Sequence, residues 1–405
     1  MTQQRRVLAV VSPFIDKRHG TERQVAEWTS QLLDDYDVHV YSQRVEDMDL
    51  TRLRWHRIPE LPGPHIVNFL WWFAANHLWR WWDRNVRGLV HDLVYTPGTN
   101  CLDADAISVH IVFPEFLRQM GPELDFSRNS VLSWPWLLHR KIYYRLIMSL
   151  ERRLYIKPRA QLIVYARKTE NDLNRFYGPH EPLPVVYIGV DHSVFNPQRT
   201  ADRRNDARRE LGLRSEQIVL LLVGNDWRKK GIHALLKALP QLSDLPVVLL
   251  VAGNDETHSY EPIIRNSGLS DRVRFLPPRS DVAFYYAAAD VYASPSLEDT
   301  FALPPEEAMA CGLPVITTVT NGTSEIMTDG VDGFILTDPN DDRALASRIR
   351  LLCEDVELRR RMGTAAAQTA RKYTWENNGQ QFREIFAGVL RRKNISQATP
   401  VRQAQ

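Results

Sequence analysis

The sequence predicts an α/β fold built from two doubly wound, Rossmann-like domains with a cleft between them. Three observations carry that expectation. Continuous apolar runs such as V-L-A-V-V at 7–11, I-V-L-L-L-V at 218–223 and V-V-L-L-V-A at 247–252 have the length and character of parallel strands covered on both faces. Helix-like segments separate these runs, and the alternation occurs twice along the chain. At 405 residues the chain exceeds the roughly 250–300 residues at which a single core stops growing. The first domain is expected over 1–198, the second over 199–375, a last helix over 376–393 and a disordered tail over 394–405.

A formal charge of +2 argues against a general nucleic-acid binder, so no nucleic-acid partner is expected. Cys101, Cys311 and Cys353 are too far apart for a metal-ligand spacing and read as buried small hydrophobes in a reducing compartment. The opening M-T-Q-Q-R-R-V-L-A-V-V-S-P-F lacks a small-residue cleavage site and reads as a first strand rather than a signal peptide. No stretch is long and apolar enough to span a bilayer, and a cytoplasmic location is expected.

Taken in order, the apolar run over 5–14 is the first strand. A polar loop with Gly20 follows, then a helix-like segment from about Glu22 to Leu33 and a strand-like V-H-V-Y at 38–41. This is a βαβ opening with a glycine at the strand-to-helix turn. Residues 66–82, I-V-N-F-L-W-W-F-A-A-N-H-L-W-R-W-W, are dense in tryptophan but too polar to cross a membrane. Farther on, Trp134, Trp136, Tyr143 and Tyr144 are interleaved with Arg140, Lys141, Arg145, Arg152, Arg153 and Lys157. Two readings of this region stand side by side. Rings at headgroup depth and cations on lipid phosphates would suit an anionic membrane surface. A packed aromatic core beneath a solvated basic helix face is the plainer alternative, and no clear periodicity chooses between them. His110 stands near the end of the strand-like A-D-A-I-S-V-H-I-V at 104–112, where a histidine is ordinarily a satisfied core residue. The segment V-V-Y-I-G-V-D-H-S-V-F-N-P at 185–197 closes the first domain, and R-T-A-D-R-R-N-D-A-R-R-E at 199–210 is a charged linker or helix start.

The second domain opens on the strand that ends at Gly224, followed by N-D-W-R-K-K-G at 225–231 and a helix-like I-H-A-L-L-K-A-L. Strand-like runs at 247–253 and 272–277 continue the alternation, and Y-Y-A-A-A-D-V-Y-A-S-P-S leads into P-S-L-E-D-T-F-A-L-P-P-E-E-A-M-A-C-G-L-P-V-I at 295–316. That stretch enters a helix near Pro304, where a missing N–H is harmless, carries acidic residues in the first turn, and ends at Gly312 before Pro314. Carboxylates and backbone N–H groups thus gather at a helix N-terminus beyond a strand end, where open α/β sheets bind ligands.

The same stretch resembles the E-G-F-G-L-P-x-x-E-A-M-A-x-G-x-P-V signature of retaining glycosyltransferases of the GT-B fold, family 4. Phe301, Leu303, Pro304, Ala308, Met309 and Gly312 set the frame, which places Glu307 on the second glutamate and Asp299, eight positions earlier, on the first. Asp299 replaces a glutamate and Ala302 a glycine; Glu298 and Glu306 form a second pair one residue out of register, so which acid takes the first position stays open. H-G-T-E-R at 19–23 resembles the family's G-G-x-E-R, with His19 for the first glycine; I-G-V-D at 188–191 resembles its N-G-V-D, with Ile188 for the asparagine. In the loop after Gly224, Lys230 matches the family lysine and Asn225 stands where an arginine is usual. Arg228 lies where the similar G-S-D-F-x-x-K-G loops of lipopolysaccharide core glucosyltransferases suggest a substitute guanidinium. T-N-G-T-S-E-I-M-T-D-G-V-D-G-F-I-L is similar to the family's glycine-rich support segment, with turns at Gly322 and Gly333.

The resemblance implies transfer of a sugar from a nucleotide-diphosphate sugar of UDP or GDP type to an acceptor hydroxyl, with retention of configuration. The acceptor would be a lipid-linked or envelope glycan, and the enzyme would sit on the inner face of the membrane. It implies that Lys230 and Arg228 hold the diphosphate and that Asp299 and His110 face the donor sugar. Glu307 would bind the ribose hydroxyls, with the nucleobase beside Pro277–Arg279. Backbone at Gly20, Gly224, Phe301, Ala302 and Leu303 would line the donor, with Arg279 beside the base and no metal or cofactor besides the donor itself. In relatives the last helix crosses back to the first domain. Two rivals stand beside this reading: a nucleotide-sugar epimerase of the same fold, and a non-catalytic GT-B protein that docks on a membrane or partner, hinted at by Asp299, Ala302 and Asn225.

Overall fold

The computed structural model describes residues 5–17, 20–120 and 134–398. It divides into two compact units, Met1–Tyr187 with Trp375–Gln405 and Ile188–Thr374. The first contains β1 (Arg6–Val11), β2 (Phe14–Ile15), β3 (Tyr36–Ser42), β4 (Arg44–Val45), β5 (Arg54–Arg57), β6 (Leu93–Pro97), β7 (Ala106–Val109) and β8 (Gln161–Val164). Six of these form one sheet in the order β5-β3-β1-β6-β7-β8, every neighbouring pair parallel, while β2 and β4 make a separate parallel pair. Leu8, Ala9, Val10 and Val11 are completely buried, which is why this run shows no polar alternation.

The second unit contains β9 (Ile218–Val223), β10 (Val247–Ala252), β11 (Val273–Leu276), β12 (Val291–Ala293), β13 (Val315–Thr318) and β14 (Gly333–Leu336). Its order is β11-β10-β9-β12-β13-β14, again all parallel. Numbered along the chain, the strands of each sheet run third, second, first, fourth, fifth, sixth. Each sheet therefore has one switch point, between its first and fourth strands, where consecutive connections leave in opposite directions.

The helix Gly20–Leu32 buries Val25, Trp28, Thr29 and Leu32, spaced to line one face. Trp28 stacks on Phe382 at 4.6 Å and meets the edge of Tyr95 at 4.6 Å. Phe382 belongs to the long helix Trp375–Ala398, and Arg383 on that helix reaches Asp35 at 2.6 Å. Aromatic stacking and an ion pair thus tie the last helix to the first unit. The helix runs through Ala398, so residues 394–398 of the expected disordered tail are helical, and residues 399–405 lie outside the described residues.

The second unit begins at Ile188, earlier than the expected boundary at 199. Val190 donates its N–H to the Tyr373 carbonyl at 3.3 Å and His192 Nε2 lies 3.2 Å from the Ala370 carbonyl, so this segment is sewn to the end of the second unit. The charged run that follows is the helix Pro197–Glu210, capped by Asn196 and held down by Arg208 on Asp290 at 3.2 Å. Cys101 and Cys311 are buried, and burial pushes each thiol up to about 12.

The tryptophan-rich segment is the helix His65–Val86, with Trp72, Ala75, Asn76, Arg80 and Asp83 buried. Asp83 sits under its last turn, accepting from Tyr41 Oη at 2.7 Å and Arg87 at 2.9 Å and meeting His56 Nδ1 at 2.8 Å. His56 Nε2 lies 2.8 Å from His39 Nδ1, and His91 Nε2 lies 3.0 Å from the Tyr41 hydroxyl. Burial lowers the pKa of all three imidazoles, to about 4 for His56 and His91, against the pull of Asp83 in the other direction. In the unfolded chain these histidines bind protons near pH 6.5. Between that value and about 4 the unfolded state holds more protons, so acidification destabilises the fold. Thermal unfolding should lose on the order of 2 kcal/mol, some 5 °C, as pH falls from about 6.5 to about 4.5, and His56→Asn with His91→Asn should flatten that slope. An unchanged slope in the double variant would rule out these buried neutral histidines as its source.

Candidate functional site

At the switch point of the second sheet, the loops after β9 and β12 lie against each other. The β9 loop starts at Gly224, with φ +135°, and contains Asp226 at φ 56°. Its centre is anchored by Trp227, which is fully buried, stacks on Phe275 at 4.9 Å and donates its backbone N–H to Asp255 at 2.8 Å. Asn225, which stands in place of the family arginine, accepts from the Asn254 N–H at 2.9 Å and so serves the loop itself. The loop closes at Gly231, with φ +88°, where a Cβ would fall 2.1 Å from the Pro295 carbonyl oxygen. The Leu297 N–H donates to the Lys229 carbonyl at 2.8 Å, completing the backbone contact.

This closure brings two lysines to two carboxylates. Lys230 Nζ donates to Asp299 Oδ2, and Lys229 Nζ lies 3.2 Å from Glu298 Oε2. Both acids are buried. Burial alone would favour the neutral amine at Lys229, but the Asp299 and Glu298 carboxylates outweigh it and hold its pKa above the usual lysine value. The acidic segment is itself clamped: the Asp299 N–H donates to Thr320 O and its carbonyl accepts from the Gly322 N–H, both at 3.0 Å. A buried layer of hydroxyls underlies it, with Thr318 and Thr320 donating to the Ser296 carbonyl at 2.7 and 2.6 Å and Ser294 bonded to Ser296 at 2.9 Å. Hydroxyls and backbone, rather than apolar packing, set the height of the two carboxylates above the sheet.

Glu307 lies on the helix Leu303–Ala310, buried, with Oε2 accepting from Tyr286 Oη at 2.8 Å. The Tyr286 hydroxyl is fixed in turn by its place in the core, where Phe195 meets its ring edge at 5.8 Å. Tyr292 on β12 is fully buried, and desolvation, with the Glu307 and Asp299 charges, raises its pKa. At the helix start, Phe301, Ala302 and Leu303 are buried. The Ala302 N–H donates to Thr323 Oγ1 at 3.0 Å, and the same hydroxyl donates back to the Ala302 carbonyl at 2.8 Å. The expectation of N–H groups open to a ligand therefore fails at Ala302, because a threonine hydroxyl already satisfies it.

The remaining predicted residues are dispersed. Arg228 is exposed, and its charge helps burial to lower the His233 pKa. Arg279 lies over the Phe284 ring at 4.0 Å and pairs with Glu210 at 3.0 Å. In the first unit, His110 follows β7, half-buried, with Nε2 2.9 Å from Ser108 Oγ and its ring 4.7 Å from Tyr165; burial lowers its pKa to about 3. Gly20 opens its helix, and a Cβ there would meet nothing within 4 Å, so the protein's own packing does not demand glycine; His19 lies outside the described residues. Sequence reasoning missed Lys229 and Tyr286. The K-K doublet and the E-D doublet are the signal for the first: two adjacent cations face two adjacent anions.

A pair of six-stranded parallel sheets in this order, one carrying a cation-and-carboxylate site at its switch point, defines a GT-B protein. Residues 18–194 match the family model Glycosyltransferase Family 4, and residues 203–369 match Glycosyl transferases group 1. The two matches follow one another and together span most of the chain, which is thus similar to the family 4 glycosyltransferases of the GT-B fold. The fold is similar to that of WaaG, a glycosyltransferase involved in lipopolysaccharide biosynthesis, with TM-score 0.75, 20% identity and coverage of 94% of this chain and 99% of that one. It is also similar to Anabaena HepE in complex with UDP and glucose, with TM-score 0.68, 20% identity and coverage of 95% and 100%. D-inositol 3-phosphate glycosyltransferase of Corynebacterium urealyticum is 34% identical over 241 residues, 56% of each chain. The chain thus spans about half the length of such curated relatives, while spore coat protein SA of Bacillus subtilis is 28% identical over 67% of this chain and 74% of its own.

Gly231→Ala should destabilise the protein by more than about 2 kcal/mol, through left-handed backbone strain and the collision with Pro295. Urea unfolding checks this; an unchanged midpoint would mean that the two loops are not in backbone contact.

Proposed function

We propose that the protein transfers a hexosyl group from a nucleotide-diphosphate sugar to the hydroxyl of an envelope or lipid-linked glycan, with retention of configuration. The observation that carries this reading is the pairing of Lys229 and Lys230 with Glu298 and Asp299 at the switch point of the second sheet. The C1–oxygen bond to the diphosphate breaks, the acceptor oxygen bonds to C1 on the same face, and the acceptor proton passes to the departing diphosphate. Negative charge grows on that leaving group, and ammonium groups already fixed in place stabilise it without reorganisation. A diphosphate docking on Lys230 takes over the partner that Asp299 now supplies, releasing that carboxylate towards a sugar hydroxyl. In this reading Glu307, whose Oε2 is held by Tyr286, accepts from the ribose hydroxyls. The complex of Anabaena HepE with UDP and glucose favours a UDP-type donor over a GDP-type one.

Thermal unfolding against UDP, GDP and their sugar derivatives is the direct test. A ligand at about 100 times its Kd should stabilise by roughly 2.7 kcal/mol. One nucleotide class should produce the shift, and Lys230→Ala should abolish it while lowering kcat/KM by roughly 10²–10³-fold. Full turnover in Lys230→Ala would remove the lysine from the mechanism, and no shift with any nucleotide would favour a docking protein. The product anomer, read by NMR, decides retention. Gly20→Ala should leave stability within about 0.5 kcal/mol of the parent. If the donor approaches that backbone, the same substitution raises the donor KM.

A further inference from the structure

The helix His65–Val86 has a mixed polar and apolar face that the fold buries and an apolar face that it leaves exposed. Its buried side is Trp72, Ala75, Asn76, Arg80 and Asp83. On the opposite side Val67, Leu70, Ala74, Leu78, Trp81 and Trp82 recur at helical spacing, all exposed, from Val67 at 45% to Trp81 at 56%. The stripe is about 22 Å long at 1.5 Å per residue. Once the buried side is known, the periodicity that the bare sequence hid becomes plain. A soluble helix does not ordinarily keep such a stripe in water, since a continuous exposed apolar patch marks an interaction surface.

The neighbouring helix Trp134–Tyr155 touches this one through Tyr143, whose ring meets His65 at 4.6 Å and Phe69 at 5.4 Å. Its outer face begins with Trp134, Leu138 and Ile142 and continues with Arg145, Arg152 and Arg153, all exposed. Among the described residues of the two helices, the acids are Asp83 and Glu151, and both are buried, so the exposed charges are cationic. No described helix is long and apolar enough to cross a membrane. An apolar stripe beside exposed arginines, without exposed acid, is the composition of a helix lying flat in a bilayer interface.

The geometry points to an anionic phospholipid surface as the partner of this face, with the Val67–Trp82 stripe as the inserting element and the arginines on lipid phosphates. This docking does not depend on the transfer reaction and extends that reading to the place where the acceptor is met. The test is co-sedimentation of the full chain with vesicles of phosphatidylcholine alone or mixed with phosphatidylglycerol. Binding is expected only to the mixed vesicles and should weaken with salt. Leu78→Ser with Trp81→Ser should weaken it at least tenfold, and Arg145→Gln and Arg152→Gln by about fivefold each. All four side chains are exposed, so the variants should unfold at the parent temperature, which separates lost docking from lost folding. Equal binding to both vesicles, binding unaffected by the substitutions, or no binding with concentration-dependent self-association instead, would each overturn the assignment. The last result would give the face to a second copy of the chain.

Discussion

Where the loop after β9 meets the loop after β12, backbone packs on backbone with no side chain between, as the 2.1 Å distance from a Gly231 Cβ to the Pro295 oxygen records. That contact sits where the sheet's connections diverge, so the loops that meet there come from distant parts of the sequence. It sets the separation between the K-K and E-D doublets, and every other feature of the site follows from it. Trp227 in the core below fixes one loop; the hydroxyls of Ser294, Ser296, Thr318 and Thr320 fix the other. The lysine stems then have little choice of position, and the carboxylates are held where the ammonium groups arrive.

Much of this was legible in the residues. Continuous apolar runs announced strands buried on both faces, and the frame set by Phe301, Pro304, Ala308 and Gly312 located the acidic pair at a helix start. The parts that stayed hidden share a physical cause: they depend on contacts across the fold rather than along it. Nothing local says that Thr323 will occupy the Ala302 N–H, or that Tyr286 will orient Glu307. The boundary at Ile188 rather than 199 is another case, since it rests on hydrogen bonds from Val190 and His192 to residues nearly two hundred positions away.

The histidine group around Asp83 and the exposed stripe belong to the same helix, His65–Val86. One side is committed to the sheet through Tyr41, His56 and Arg87; the other is left apolar and uncovered. Neither the tryptophan count nor the charge pattern could separate these sides, because Trp72 is core while Trp81 and Trp82 are surface. One helix thus carries both a packed core ring and exposed rings.

The one-to-one pairing of Lys229 and Lys230 with Glu298 and Asp299 has an effect at long range. Two cations and two anions within a few ångströms cancel when viewed from solution, so this quartet itself contributes almost no monopole field. A charged ligand is then neither drawn in from a distance nor repelled; it encounters the site by unguided diffusion and is recognised only on contact, by exchanging one partner for another. Association should accordingly depend little on ionic strength, and inorganic phosphate, which has charge but no sugar for the released carboxylate, has less to offer than a complete donor.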